Sequence, residues 1–339
     1  MSANKILPLS TPYIQCVPND AFFLAVAQNL DTENKWFFNN FVQLAVRKHD
    51  NEITIRFRGS LLYYNCPFIH MNRMDLNFFL MKYESEVSLL KDLIINNYYV
   101  ITYLDRNLID KKTFPEYFPH AVLVYGFDDS QKKMHIADFL TDARFTQATI
   151  SYDNYFLARE NIYKNTDLNK KKYLKRIKRF SELRVLKTKS LNYDFDLEYV
   201  KKLLNDYLNG VNTVGDYMEQ KRKKYVDYGI NANDILMIFF DKIKKNEPFD
   251  LISFAVIRYH KSVMLSRLDF LEKYGYLNEP ELNKKNYREL LAVSDELINY
   301  ILKYLLTKNK KYIDEIHSRI VLIQKNDKNA AEVLLNSLG

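Results

Sequence analysis

"YFPHAVLVYGFDDSQKKMHIADF", residues 117–139, decides how the chain is read. Two apolar runs flank a polar turn, with a histidine near the head of the first and an aspartate near the foot of the second. "HAVLVYGF" and "KMHIADF" have the β-branched and aromatic content of strands, and "DDSQK" has that of a turn. A turn centred near Asp129 sets His120 opposite Asp138, Val122 opposite Ile136 and Val124 opposite Met134. Opposed side chains on one face of an antiparallel pair stand about 4.5–5.5 Å apart at Cβ, so the carboxylate can accept the imidazole proton. A slip of one residue would send one of the two to the other face.

A histidine oriented by a carboxylate lacks only an attacking group to become a nucleophile-activating triad. Cys16 is the best candidate. Pro18 suits a first helical turn and "VPNDAFFLAVAQNL" (17–30) continues it with apolar residues, so a buried helix is expected to start just after the cysteine. The positive end of the helix dipole lowers a thiol pKa, and a neighbouring imidazolium lowers it further. Each residue also has a purely structural role open to it: a buried cysteine behaves as a small hydrophobe, and a histidine beside an aspartate is an ordinary satisfied pair.

Outward from the hairpin, "ITIRFR" (53–58), "LLYYN" (61–65) and "YYVITYL" (98–104) read as strands. "ESEVSLLKDLIINN" (84–97) reads as a helix with Val87, Leu90, Leu93 and Ile94 on one face. Beyond residue 160 apolar residues recur at helical spacing: Leu197, Val200, Leu204 and Leu208; Leu236, Phe239 and Ile243; Leu290, Leu297, Ile301 and Leu305; Ile313, Ile316, Ile320 and Ile323. Breaks are expected near Gly229, Pro248 and Pro280. The expected organisation is an α+β domain over 1–160, a basic linker or helix over 161–190, and an all-helical domain over 191–339.

Composition excludes several functions. Seven glycines leave no GxGxxG or GxxxxGK[ST] loop, which removes dinucleotide and P-loop readings. Cys16 and Cys66 cannot build a disulfide framework, and "MSANKILPLSTP" lacks the pattern of a signal peptide. Apolar runs such as "ILMIFF" (235–240) fall far short of the roughly 18 residues that span a bilayer. A cytoplasmic protein without a membrane partner is expected. Cys66 and His70 supply two ligand types but no second pair, so no metal site is expected. Between Lys164 and Lys189 eleven Lys or Arg face the two acids Asp167 and Glu182, a net +9 against +8 for the whole chain. Such a segment attracts an acidic partner by long-range steering, or is simply a solvated face.

"QCVPNDAFFLAVAQNL", "NNYYVITYLD" and "FPHAVLVYGFDDSQKKMHIADF" together resemble the papain-like fold shared by bacteriocin-processing peptidases and the amino-terminal domain of butirosin-type biosynthetic acyltransferases. The resemblance covers roughly residues 8–150 and implies a central helix against an antiparallel sheet. It makes Cys16 the nucleophile, His120 the general base and acid, and Asp138 the orienting carboxylate. The family's oxyanion glutamine, about six residues before the cysteine, is replaced here by Ser10, so the backbone N–H of Cys16 and the side chains of Ser10, Thr11 and Gln15 are the candidate donors. Asp105, at the end of a strand that is acidic in the family, is a candidate for the acceptor pocket. The helical half favours an acyltransferase over a protease.

The expected activity is amide formation in natural-product biosynthesis. An acyl group on a thioester, carried on the phosphopantetheine arm of an acyl or peptidyl carrier protein, passes through a Cys16 acyl-enzyme to an amine or diamine. The enzyme itself needs no cofactor, and nucleic acid is not the expected partner. A cysteine peptidase or amide hydrolase is the second reading. The third is a non-catalytic scaffold whose basic segment binds RNA or a partner protein.

Overall fold

A computed structural model describes residues 3–49, 52–58, 66–111, 113–114, 116–140, 144–165, 180–213 and 225–339. The chain divides into two compact units, Met1–Thr32 with Tyr63–Asn192, and Glu33–Leu62 with Tyr193–Gly339. The first opens with β1 (Asn4–Ile6) and α1 (Pro18–Leu30); the chain then gives α2 (Lys35–Asn40), β2 (Leu44–His49) and β3 (Glu52–Phe57) to the second. It returns to the first with β4 (Ile69–Asp75), α3 (Leu76–Leu80), α4 (Glu86–Ile95), β5 (Tyr98–Asp105), a 3-10 turn (Arg106–Leu108), β6 (Pro119–Asp128), β7 (Lys133–Phe139), β8 (Phe145–Ser151), α5 (Tyr152–Lys164) and β9 (Glu182–Thr188). The second unit is completed by α6 (Leu197–Leu208), β10 (Tyr225–Tyr228), a 3-10 turn (Gly229–Asn233), α7 (Ile235–Lys244), α8 (Leu251–Lys273), α9 (Pro280–Thr307) and α10 (Lys311–Ser337). The protein is thus of mixed α and β structure, with antiparallel sheets and a helical carboxy-terminal region.

The first unit is built on one antiparallel sheet in the order β4-β9-β5-β6-β7-β8, with β1 pairing the far half of β6. Strands β5 and β6 are buried almost end to end, as expected of strands covered on both faces. Helix α1 packs against β6 and β7. It is apolar nearly all round, and Asp20 through Gln28 are all buried, so it is a core helix rather than an amphipathic one. Pro18 begins it: its missing N–H is one of the amides a first turn leaves unpaired anyway. At Gly126, β1 comes so close that an added Cβ would lie 2.9 Å from the Lys5 carbonyl oxygen, which only glycine tolerates.

The hairpin register corrects the sequence reading. Val124 pairs with Ile136 and Leu123 with Ala137, and a bulge between Val124 and Gly126 then moves the ladder on to Gly126 opposite His135 and Phe127 opposite Met134. The expected pairing is off by two positions near His120. An offset of two preserves the face, so His120 and Asp138 meet as diagonal neighbours rather than as a directly opposed pair.

The second unit joins a three-stranded sheet, β10-β2-β3, to its helices. Residues 33–62, expected in the amino-terminal domain, belong here for physical reasons. The Ile55 amide donates to the Ser253 hydroxyl at 2.8 Å, and the buried Arg267 donates to the Phe38 carbonyl at 2.9 Å. Asn39 and the Asp196 backbone exchange two hydrogen bonds of 3.0 Å. The expectation of an all-helical 191–339 also needs correction, since β10 supplies an edge strand to β2. Breaks fall where Gly229, Pro248 and Pro280 were read: a 3-10 turn, the α7–α8 connection and the first turn of α9.

Most of the basic segment, 166–179, and the predicted strand 61–65 lie outside the described residues. Of the described ends of the 161–190 stretch, 161–164 close helix α5, whereas 182–188 are neither linker nor helix but strand β9, between β4 and β5 in the sheet. Among the described residues no helix is long and apolar enough to cross a membrane.

Candidate active site

His120 stands at the start of β6 and Asp138 near the end of β7, so adjacent strands carry them to one end of the sheet. The imidazole Nδ1 lies 3.0 Å from Asp138 Oδ1 and 2.8 Å from the Ala121 carbonyl. Two acceptors around one nitrogen call for an Nδ1–H, which leaves Nε2 with its lone pair, the tautomer of a general base, and Arg106 Nη2 comes within 3.3 Å of that nitrogen. Asp138 is fully buried while the His120 side chain keeps 21% of its surface exposed, so the pair is sealed on the carboxylate side and open on the imidazole side.

Sequence reasoning missed the third member. Arg106, in the 3-10 turn that follows β5, is buried and grips Asp138 with two bonds, Nε to Oδ2 at 2.7 Å and Nη2 to Oδ1 at 2.5 Å. The same Nη2 stands 2.5 Å from His120 Nδ1. A guanidinium can only donate, so Arg106 competes with Asp138 for that nitrogen and would favour the opposite tautomer if the carboxylate did not hold it. Burial opposes ionisation of Asp138, yet the hydrogen bonds from His120 and Arg106 outweigh it and hold the carboxyl below the ordinary aspartate value. Aromatic rings pack on both side chains: His120 stacks on Phe118 at 6.1 Å, Phe118 on Phe114 at 5.4 Å, and the Arg106 guanidinium lies 4.9 Å from the Phe114 ring centre and 5.6 Å from that of Phe118. The available signal was position alone: a polar residue directly after a buried strand, one place beyond the Asp105 that drew attention.

Asp105 itself is a correction. Its carboxylate is fully buried and accepts from the Asn107 amide at 3.1 Å, the Phe118 amide at 2.9 Å and the Asn161 side chain. It ties the β5 terminus to the start of β6 and to α5, with no face turned to a substrate.

His120 opens on a cleft of about 460 Å³ lined by Pro18, Asn19, Tyr103, Phe118, Pro119, Ala121 and Phe180. Pro18 and Asn19 are the first turn of α1. Cys16 is half-buried two residues ahead of Pro18, and does not itself form part of the wall. Nor do the expected oxyanion donors. Gln15 uses its carboxamide nitrogen on the Pro12 carbonyl at 3.1 Å, Thr11 is exposed, and Ser10 is tied through its backbone amide to the Ala25 carbonyl. The second cysteine, Cys66, is buried, and burial pushes its thiol up to about 12, so it is an inert core group. Among the described residues no group of three His, Cys, Asp or Glu is placed to hold a metal ion.

No model of a known family matches the chain, and no curated protein is found to be similar to it.

Proposed function

We propose that this protein is a thiol-dependent acyltransferase of papain-like plan, forming an amide through an acyl-enzyme on Cys16. The observation that carries the reading is the 3.0 Å contact between His120 and the buried Asp138, at a cleft also lined by Pro18 and Asn19, the first turn of α1 just after Cys16. A central helix preceded by cysteine, against an antiparallel sheet bearing histidine and aspartate on neighbouring strands, supports the same plan.

In the proposed reaction His120 Nε2 takes the Cys16 proton, and the thiolate attacks the thioester carbonyl. A carbon–sulfur bond forms to Cys16, the bond to the donor sulfur breaks, and the donor thiol leaves with the proton held by His120. An amine then attacks the acyl-enzyme; its proton passes to His120 and returns to Cys16 as the sulfur leaves, giving amide and free enzyme. Asp138 holds the imidazole in the base tautomer and supports its charge in each step, while Arg106 keeps Asp138 ionised and oriented. Phe118, Phe180 and Tyr103 give the cleft apolar walls suited to an acyl chain. A carrier-bound phosphopantetheine thioester is the donor and an amine or diamine the acceptor that the resemblance implies.

Intact-protein mass spectrometry tests the reading. Wild type incubated with a panel of acyl N-acetylcysteamine thioesters is expected to gain one acyl mass, Cys16→Ala none, and added amines are expected to discharge the adduct as amide. Discharge by water that outruns every amine would make the protein a hydrolase. Equal labelling of wild type and Cys16→Ala would remove the nucleophile.

A further inference from the structure

The cleft holds a base, backed by its orienting carboxylate, beside the first turn of the helix that starts two residues after the proposed nucleophile, and none of Ser10, Thr11 and Gln15 lines it to receive the negative oxygen of the tetrahedral intermediate. The family's glutamine is absent, and Gln15, which gives one carboxamide N–H to Pro12, does not line the cleft. Asn19 meets the requirement. It belongs to the first turn of α1, three residues after Cys16, and lines the same cleft as His120. Its Oδ1 accepts from Arg184 Nη1 at 2.9 Å. Because a guanidinium only donates, the atom facing Arg184 must be the carbonyl oxygen, which fixes the flip of the carboxamide. Arg184 is held in turn by the Tyr103 hydroxyl at 3.2 Å, and its guanidinium carbon lies 6.0 Å from the centre of that ring. The Asn19 Nδ2 is left with two hydrogens and, among the described residues, no acceptor.

On the basis of the acyltransferase reading, we infer that Asn19 is the oxyanion donor: its Nδ2 hydrogen-bonds the carbonyl oxygen of the acyl group as that oxygen becomes negative, with Arg184 as the positioning residue that holds the carboxamide in the donating orientation. A pre-oriented donor of this kind does its work only where charge develops, so it accelerates acyl transfer without altering the thiol.

Two reactions of the same cysteine separate this role from a structural one. Attack on a thioester passes through an oxyanion, whereas alkylation by iodoacetamide displaces iodide and does not. In single-turnover acylation by hexanoyl N-acetylcysteamine thioester, Asn19→Ala is expected to be slower by about 10²–10³-fold, with its limiting alkylation rate at high pH within twofold of wild type. Asn19→Asp sharpens the test. It keeps the size and gives Arg184 a better partner, so a structural role predicts no loss; loss of both N–H donors predicts acylation at least as slow as in the alanine variant. Arg184→Met, which frees the carboxamide to turn, is expected to fall between. Acylation of Asn19→Ala or Asn19→Asp within threefold of wild type would overturn the inference, as would a parallel fall in acylation and alkylation. If wild type gains no acyl mass, the acyltransferase reading fails and takes Asn19 with it; normal wild-type acylation with unimpaired variants removes Asn19 alone.

Discussion

Each unit buries a carboxylate–cation cluster that includes a histidine, around Asp138 in the first and Asp327 in the second, and the two are finished differently. In the second unit Asp327 Oδ2 accepts from Lys261 Nζ at 2.5 Å, Tyr207 at 2.7 Å and Asn233 at 2.7 Å, with both ions wholly buried. His260 donates Nε2–H to the Val42 carbonyl at 2.8 Å, accepts from Lys261 at Nδ1 and stacks on Tyr207. Every ring nitrogen there is occupied, so the cluster ties α6, α8, α10 and the chain before β2 together. In the first unit Asp138 and Arg106 are buried as well, but the His120 side chain they hold keeps 21% of its surface exposed and lines a cleft, with Arg106 Nη2 at 3.3 Å from its Nε2. A buried ion pair is costly to assemble, and a structural one repays that cost by cross-linking elements. The Asp138 pair instead supports a partly exposed imidazole at a cleft, which is how a candidate site differs from a staple built of the same residue types.

The comparison can be broken at four points, taken from the largest expected effect down. Asp138→Asn removes the negative charge and frees Arg106 to claim Nδ1; single-turnover acylation is expected to fall by about 10⁴-fold, about 5 kcal/mol of transition-state stabilisation, and a loss under tenfold would reduce Asp138 to a structural role. Asp327→Ala strands the buried Lys261 ammonium and is expected to destabilise the protein by about 3–5 kcal/mol in urea unfolding; a change below about 1 kcal/mol would show the second cluster to be no staple.

Acid titration separates the two clusters by pH. Burial and the adjacent Lys261 push His260 down from 6.5 to about 3, so between those values the unfolded chain binds a proton that the folded chain refuses, and stability falls as pH is lowered through that window. Asp138, held below its ordinary value of 3.8, is ionised in both states over the upper part of that window, and its contribution begins to be lost only as pH falls through about 3.8 toward the lower folded-state value. Replacing His260 by Gln, which keeps a donor for Val42, is expected to flatten the stability curve between about pH 3 and 6.5; an unchanged curve would put the titration elsewhere. Last, Phe118→Leu gives up the stacking on His120 and the contact with Arg106, an expected loss of about 1 kcal/mol by urea unfolding.

Side chains that repeat along one element were legible in the sequence. Helix α1 announced itself by Pro18 and an unbroken apolar run, the long helices by their periodicity, and the β6–β7 hairpin by two β-rich runs around a polar turn. What escaped depends on partners distant in the chain. The register hinged on a bulge at the β1 crossing of Gly126, which no local pattern encodes. Residues 33–62 carry the same apolar alternation wherever they pack, and only Ser253, Arg267 and Asp196 assign them to the second unit. Strand β9 was masked by its Arg and Lys, because a basic strand inside a basic stretch keeps the charge signal and blurs the alternation. Arg106 was invisible for a different reason: one arginine after a strand is ordinary until folding sets Asp138 beside it.

The discontinuous division of the chain also bears on how it is made. Residues 33–62 are translated before the rest of their unit, which resumes only at Tyr193, so strands β2 and β3 wait while about 130 residues are added, roughly ten seconds at common elongation rates. During that interval their edges are open to wrong pairings, whereas the first unit can close around its sheet as soon as β9 emerges. The two units therefore cannot fold in strict chain order: the first matures while the segment inserted in it still lacks its partners, and α10, translated after α6 to α9, delivers the aspartate that completes the buried cluster of the second.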